Sequence, residues 1–353
     1  MDAQSNVGRR GREMAQNKPV CFGLIGTSGH ADRVAAPVIK RNEHAVLLGA
    51  VGTKPDGSRS FAQRHGVPKH FDNVEHMLAD RDVDAVWICS PNHLHAAHVA
   101  HCASAGKHIL LEKPLATSRA DSASAFTAAE KAGVLLRVGY QHRFRPSHMK
   151  LREMLRAGLV GRIGYLRTHR FWRWPYFDGL DPAGPPEWRR SRAESGGWVI
   201  NDIGSHLLDL MLWLSDLPGV FAGALLASQA FDFETEDSTA VLVRLGDTGI
   251  GIMETSNAND TAGSRIEICG SDGWIRAEDT LTGRGVVTAY DGQRLGFDEL
   301  GPLATYDLEV SDFVTAVHGG TSHGADARAG MAVSSIIDDA ITNGTRAAYS
   351  GRP

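Results

Sequence analysis

The chain has 353 residues, long for a single hydrophobic core, so two domains are expected. Hydrophobic residues make up 42% and charged residues 22%, the balance of an ordinary globular protein rather than a disordered or membrane-embedded one. A formal charge of −4 gives no electrostatic case for nucleic acid or an anionic membrane surface, and no stretch approaches the apolar length that spans a bilayer.

Residues 1–18 are basic and include Arg9-Arg10, but no apolar run follows. They read as a flexible arm rather than an export signal, which makes the expected location cytoplasmic. The four cysteines show no CxxC pairing, and Cys21 and Cys89 sit in apolar runs, as buried thiols in a reducing compartment do. From Val20, strand and helix patterns alternate. "VCFGLIG", "AVLLGAVG", "VDAVWICSP", "KHILLEKP" and "VLLRVGY" read as buried strands. "HADRVAAPVIKRN", kinked at Pro37, "GSRSFAQRHG", "NVEHMLADRD", "HAAHVAHCASAG" and "RADSASAFTAAEKAG" read as the helices between them. This predicts a doubly wound, mostly parallel Rossmann sheet over residues 19–140.

Beyond Tyr140 the texture changes. Helical "PSHMKLREMLRAG" precedes a Trp-, Arg- and Pro-rich loop over 172–197, then the apolar helix "INDIGSHLLDLMLWLSD". Hairpin-like strands follow in "STAVLVRLGDTGIGIMETS", "RIEICGSDGWIRAED" and "GVVTAYDGQRLGF". Residues 141–353 therefore read as an α+β domain with an open, mostly antiparallel sheet for substrate binding and oligomerisation.

The first strand-to-helix turn, Gly26, Thr27, Ser28, Gly29, His30 and Ala31, is where a dinucleotide fold cradles pyrophosphate with backbone N–H groups. It departs from GxGxxG, with Ser28 at the second glycine position and Ala31 at the third. After the second strand, where an acid would bind the ribose of NAD, stand Thr53 and Lys54, with Arg59 nearby. No acid is there to repel a 2′-phosphate, which favours NADP over NAD. Ser90, Pro91, Asn92 and His95 follow the third long strand, at the carboxyl edge where such sheets bind ligands. His95, His98 and His101 recur at helical spacing, but no Cys, Asp or Glu joins them, and no metal is expected. Asp202 and His206 are four apart, on one helix face, which suits either a catalytic pair or a structural acid with a core histidine.

The run "DVDAVWICSPNHLHAAHVAHCASAGKHILLEKPLA" resembles the signature of the Gfo/Idh/MocA oxidoreductases. The likeness continues through "VGYQHRF", "RAGLVGRIGYLR", "GGWVINDIGSHLLDLMLWL" and "DLEVSDFVTAVHGG", covering almost everything after Lys18. It implies that Lys113 reaches both nicotinamide ribose and substrate, across a Lys113-Pro114 peptide that is often cis in relatives. It also implies that Glu112 lies near the nicotinamide, with Gln141 on the cofactor and His142 and Trp172 on the substrate. His206 would be the general base and Asp202 its orienting or substrate-binding partner. Trp172, Trp174, Trp188 and Arg189 would wall the crevice.

The implied activity is NADP- or NAD-dependent hydride transfer at a secondary carbinol of a sugar, cyclitol or derivative. Two rivals remain open. One is a redox-neutral lyase or glycosidase with tightly held nicotinamide; the other is a cofactor-binding regulator without turnover. The resemblance also implies a homodimer or homotetramer.

Overall fold

A computed structural model describes residues 18–27, 29–173, 186–259, 263–281 and 284–347. The expected N-terminal arm up to residue 17, Ser28 and Trp174 lie outside these. Each apolar run of the first half becomes a strand: β1 (Val20–Ile25), β2 (Ala45–Val51), β3 (Lys69–Phe71), β4 (Ala85–Ile88), β5 (His108–Leu111) and β6 (Leu136–Val138). All are parallel, in the order β3-β2-β1-β4-β5-β6. The chain reverses direction across the sheet between β1 and β4, which opens a crevice at their carboxyl ends. β4 (AVWI) is buried along its whole length because helices cover both faces, and so its sequence does not alternate.

The first crossover helix is not uniform. Ala31–Ala35 form a π-helical turn that passes into the α-helix Ala36–Arg41, with Pro37 in its first turn. Proline lacks an N–H for the helical ladder, and the expected kink takes the form of this change in helix type. The later helices Pro55–His65 and Arg119–Ala132 end at glycines with positive φ, as the sequence implies.

The second sheet comprises β7 (Ile163–Phe171), β8 (Gly219–Ala227), β9 (Ser238–Leu245), β10 (Gly249–Ser256), β11 (Ser264–Gly270), β12 (Trp274–Glu278), β13 (Val286–Ala289) and β14 (Arg294–Gly296). After β15 (Ala325–Asp326), the strand β16 (Thr345–Ala347) closes its far edge, giving the order β14-β13-β12-β11-β7-β10-β9-β8-β16. Its pairs are antiparallel except β7–β10 and β8–β16. Alternation along these strands buries Leu166, Thr168, Val241, Val243, Met253, Ile266 and Ile268 on one face. The apolar helix Ser205–Ser215 packs on that face against β7 and β10.

The boundary expected at residue 140 is one crossing between the halves, and the chain crosses again. Val310, Phe313 and Val314 of the helix Ala304–Val317 join the core built by Phe22, Leu24, Leu47 and Trp87. β15 then adds an antiparallel edge to β6. Phe22 and Phe313 rings meet at 5.7 Å, so the second half completes the core of the first.

Candidate active site

The turn after β1 is shaped by close approach. Gly26 has φ +98°, and a Cβ there would lie 2.7 Å from the Cys89 carbonyl oxygen, so only glycine lets β1 and β4 come this near. Gly29, at φ +49°, has open space where a side chain would stand. A left-handed glycine facing space at a helix start fits a phosphate-bearing dinucleotide. Thr53, Lys54 and Arg59 are exposed at the end of β2, with Arg59 3.7 Å from Asp56.

β5 delivers Glu112 and Lys113 to the crevice, and the Lys113-Pro114 peptide is cis. Glu112 Oε1 lies 2.9 Å from His30 Nε2. Burial alone would raise the Glu112 carboxyl, but His30 and then Lys113 outweigh it and hold it below its ordinary value. Lys113 Nζ donates to the Asp202 carbonyl at 2.6 Å and to Asp202 Oδ1 at 3.1 Å. Arg189 binds the other carboxylate oxygen at 2.9 Å. Burial opposes ionisation of Asp202, yet Arg189 and Lys113 together keep it well below the usual carboxylate range.

Asp202 sits in a second π-helical turn, Ile200–Gly204, which runs into the helix Ser205–Ser215 carrying His206. Such wide turns inside helices recur at functional sites, and this one brings Asp202 to Lys113. His206 is 4% exposed, and its Nδ1 has no partner. Its ring meets the edges of His142 at 4.7 Å and Tyr140 at 5.7 Å. Burial, then Lys113, push the His206 imidazole well below its ordinary value, and Asp202 pulls the other way. His142 is likewise driven down, first by burial and then by His206. Neutral imidazoles in this setting are proton acceptors.

His95, which the sequence places among the residues expected at the cofactor, has both ring nitrogens engaged by backbone. Its side chain is fully buried, with Nδ1 2.7 Å from the Pro114 carbonyl and Nε2 2.9 Å from the Ser90 carbonyl. It props up the loop that carries Lys113. Asn92 gives its amide to the Ser195 carbonyl, Gln141 gives its amide to the Tyr306 hydroxyl, and the Ser90 hydroxyl meets His98 Nδ1 at 2.9 Å. These side chains tie the walls together, leaving Pro91 and the backbone to line the edge. Among the described residues no group of His, Cys, Asp or Glu could hold a metal ion.

Two arginines at the site escaped the sequence reading. Arg145 follows the turn Gln141–Phe144, and Arg170 lies near the end of β7 beneath Trp172. For Arg170 the signal was the period-2 count from Leu166 and Thr168, which puts it on the inner face.

Comparison with known proteins matches both halves of the chain. The family model for the Gfo/Idh/MocA oxidoreductase family, NAD-binding Rossmann fold, matches residues 20–140. The model for the C-terminal domain of the same family matches residues 148–276. A 1,5-anhydro-D-fructose reductase of Ensifer adhaerens is 28% identical over 302 residues, 84% of this chain and 88% of that one. A myo-inositol 2-dehydrogenase of Thermotoga maritima is 29% identical over 278 residues, 77% of this chain and 79% of its own. In fold, the chain is similar to a 3-ketoreductase from Actinomadura kijaniata solved with NADP and TDP-benzene. The TM-score is 0.79 at 21% identity, over 94% of this chain and all of that one. With both halves matched and the glycine turn, the lysine and the histidine set around one crevice, the chain belongs to the Gfo/Idh/MocA family of oxidoreductases with a nicotinamide-binding Rossmann domain.

Proposed function

We propose that the protein oxidises a secondary carbinol of a sugar or cyclitol, or reduces the corresponding ketone, with His206 and Lys113 as its catalytic groups. The observation that carries this is Lys113 Nζ held by Asp202 beside a buried, proton-accepting His206 at the carboxyl edge of the sheet. The Gly26–Ala31 turn would hold the cofactor's phosphates, and Glu112 with His30 would border its nicotinamide. Bound nicotinamide supplies the hydride acceptor or donor.

In the oxidising direction His206 takes the hydroxyl proton. The Lys113 ammonium, with one donor left beyond the two it gives to Asp202, stabilises the negative charge that builds on the carbinol oxygen. Asp202 keeps Lys113 aimed, and Arg189 neutralises the rest of its charge. In the reducing direction His206 returns the proton to the same oxygen. We infer from the absence of an acid beside Thr53 and Lys54 that NADP is preferred over NAD, and the open outer face of the second sheet favours a homodimer or homotetramer.

The test is a screen of sugars and cyclitols with NADP and NAD, followed by absorbance of the reduced nicotinamide. Product formed with no net reduced cofactor, and nicotinamide retained through purification, would replace this reading with a redox-neutral one.

A further inference from the structure

Among the described residues, no carboxylate forms an ion pair with Arg170 or Arg145, which stand at the crevice. On β7, Leu166, Thr168 and Arg170 share the inner face, and the Thr168 hydroxyl reaches the carbonyl of Leu207, the neighbour of His206, at 3.5 Å. The Arg170 guanidinium carbon lies 4.5 Å above the Trp172 ring. Arg145 brings Nε to 3.4 Å from His142 Nδ1, and His142 is ring to edge with His206. The two arginines therefore flank the histidine pair from the β7 side and the Gln141–Phe144 side.

Among the described residues, Asp202 is the one carboxylate whose charge favours the Arg170 cation, and none does so for Arg145. Asp202 is already engaged through both oxygens, by Lys113 and Arg189. Burial lowers both guanidiniums from their ordinary value, Arg170 to about 10. Cations withdrawn from water without a countercharge are costly, and the cost is offset when a ligand brings the opposite charge. A planar guanidinium fork suits a carboxylate or a phosphate. The cofactor's own phosphates do not meet this need, because the glycine turn that suits them lies after β1 on the other sheet.

We propose that the substrate is an anionic sugar or cyclitol, bearing a carboxylate or a phosphate monoester, whose oxyanion is held by Arg170 and Arg145 while its carbinol faces His206. The inference rests on the oxidoreductase reading for the carbinol, but the anion site stands on its own geometry.

The full chain loaded with NADP is titrated by calorimetry with D-glucuronate, D-galacturonate and D-glucose 6-phosphate, and with D-glucose and D-galactose as neutral parents. Turnover is measured on the same panel. The expected result is that at least one anion binds tighter than its parent by about 10- to 100-fold, the scale of a charge-assisted hydrogen bond. Arg170→Gln and Arg145→Gln should each remove most of that ratio, and Arg170→Lys should retain part of it, keeping charge but losing the fork. The uronates against the phosphate identify which oxyanion fits.

Wild-type protein alone gives a second measurement, in which added salt weakens binding of the anion and leaves the parent unchanged. Equal binding of anion and parent, no binding of any anion, or a ratio unchanged in both glutamine variants overturns the proposal. Discrimination in binding without nicotinamide reduction by any sugar would sink the oxidoreductase reading and leave the anion site standing. Turnover confined to the neutral sugars does the reverse.

Discussion

At the scale of single residues, the proposed reaction gives Lys113 and His206 one task at the carbinol oxygen. Removing a general base costs about 10²–10⁴ in rate, and removing a donor to a developing oxyanion costs about 10²–10³. His206→Ala and Lys113→Ala are expected to lower kcat by these amounts with little change in melting temperature. Because both act on one transition state, the double variant should lose less than the product of the single losses. Near-wild-type turnover in folded His206→Ala would remove it as the base and turn attention to Tyr140 or His142.

The pH profile follows from sign. His206 works neutral, so carbinol oxidation should fall as acid protonates it. Burial and Lys113 push its imidazole well below 6.5, so the acid limb of kcat should lie below that value. A limb centred at or above 6.5 would contradict the assignment. At the proposed ribose end of the cofactor, exposed Thr53 and Lys54 follow β2 where an acid would bind the ribose of NAD. Lys54→Ala is expected to reduce the preference for NADP over NAD, measured by titrating both; tighter binding of NAD by wild type would reject the assignment.

Among the elements, one buried ion pair sets how the turn carrying His142 meets the helix carrying His206. Arg143 Nε lies 2.8 Å from Asp209 Oδ2, and the side chains are 8% and 2% exposed. Burial still raises the Asp209 carboxyl despite Arg143, so the pair is held at a desolvation cost. Deleting one partner strands the other charge. Asp209→Ala or Arg143→Ala should cost about 3–5 kcal/mol in denaturant unfolding. Replacing both by apolar residues, Arg143→Met with Asp209→Leu, should recover much of that stability while lowering kcat by misplacing His142. Equal loss of stability in the single and double variants would show that the pair is not the unit.

At the scale of the whole molecule, the described residues leave a face of the second sheet open. Pairing register puts Val220, Leu225, Leu242 and Ile250 on the outer side of β8, β9 and β10, each roughly half exposed. Beside them runs a ladder in which Arg167 meets Glu254 at 2.5 Å and Arg276 meets Glu267 at 3.0 Å. An apolar patch rimmed by charges is a surface that a second copy of the chain can cover. Light scattering should report a dimer or tetramer, and Leu242→Glu with Ile250→Glu should shift it toward monomer. A wild-type monomer at micromolar concentration would overturn this expectation.

The alternation of apolar runs with helical periods was enough to specify the parallel sheet, because strands buried on both faces must be continuously apolar. The hairpins of the second sheet were legible for a related reason, since one exposed face forces alternation. Gly26 and Gly29 marked the first strand-to-helix turn locally, whereas the roles proposed for Lys113, Asp202 and His206 came from the family resemblance, since their spacing alone suits a structural pair equally well. What the sequence could not decide depends on contacts between distant segments. His95 looks like a crevice residue until its ring is seen filled by the Ser90 and Pro114 carbonyls. The return of Val310, Phe313 and β15 to the first core has no local signature, because an amphipathic helix does not state which sheet it covers. The surplus of positive charge at Arg145 and Arg170 likewise emerges only when strand, turn and helix converge, since a cation is unpaired only with respect to everything folded around it.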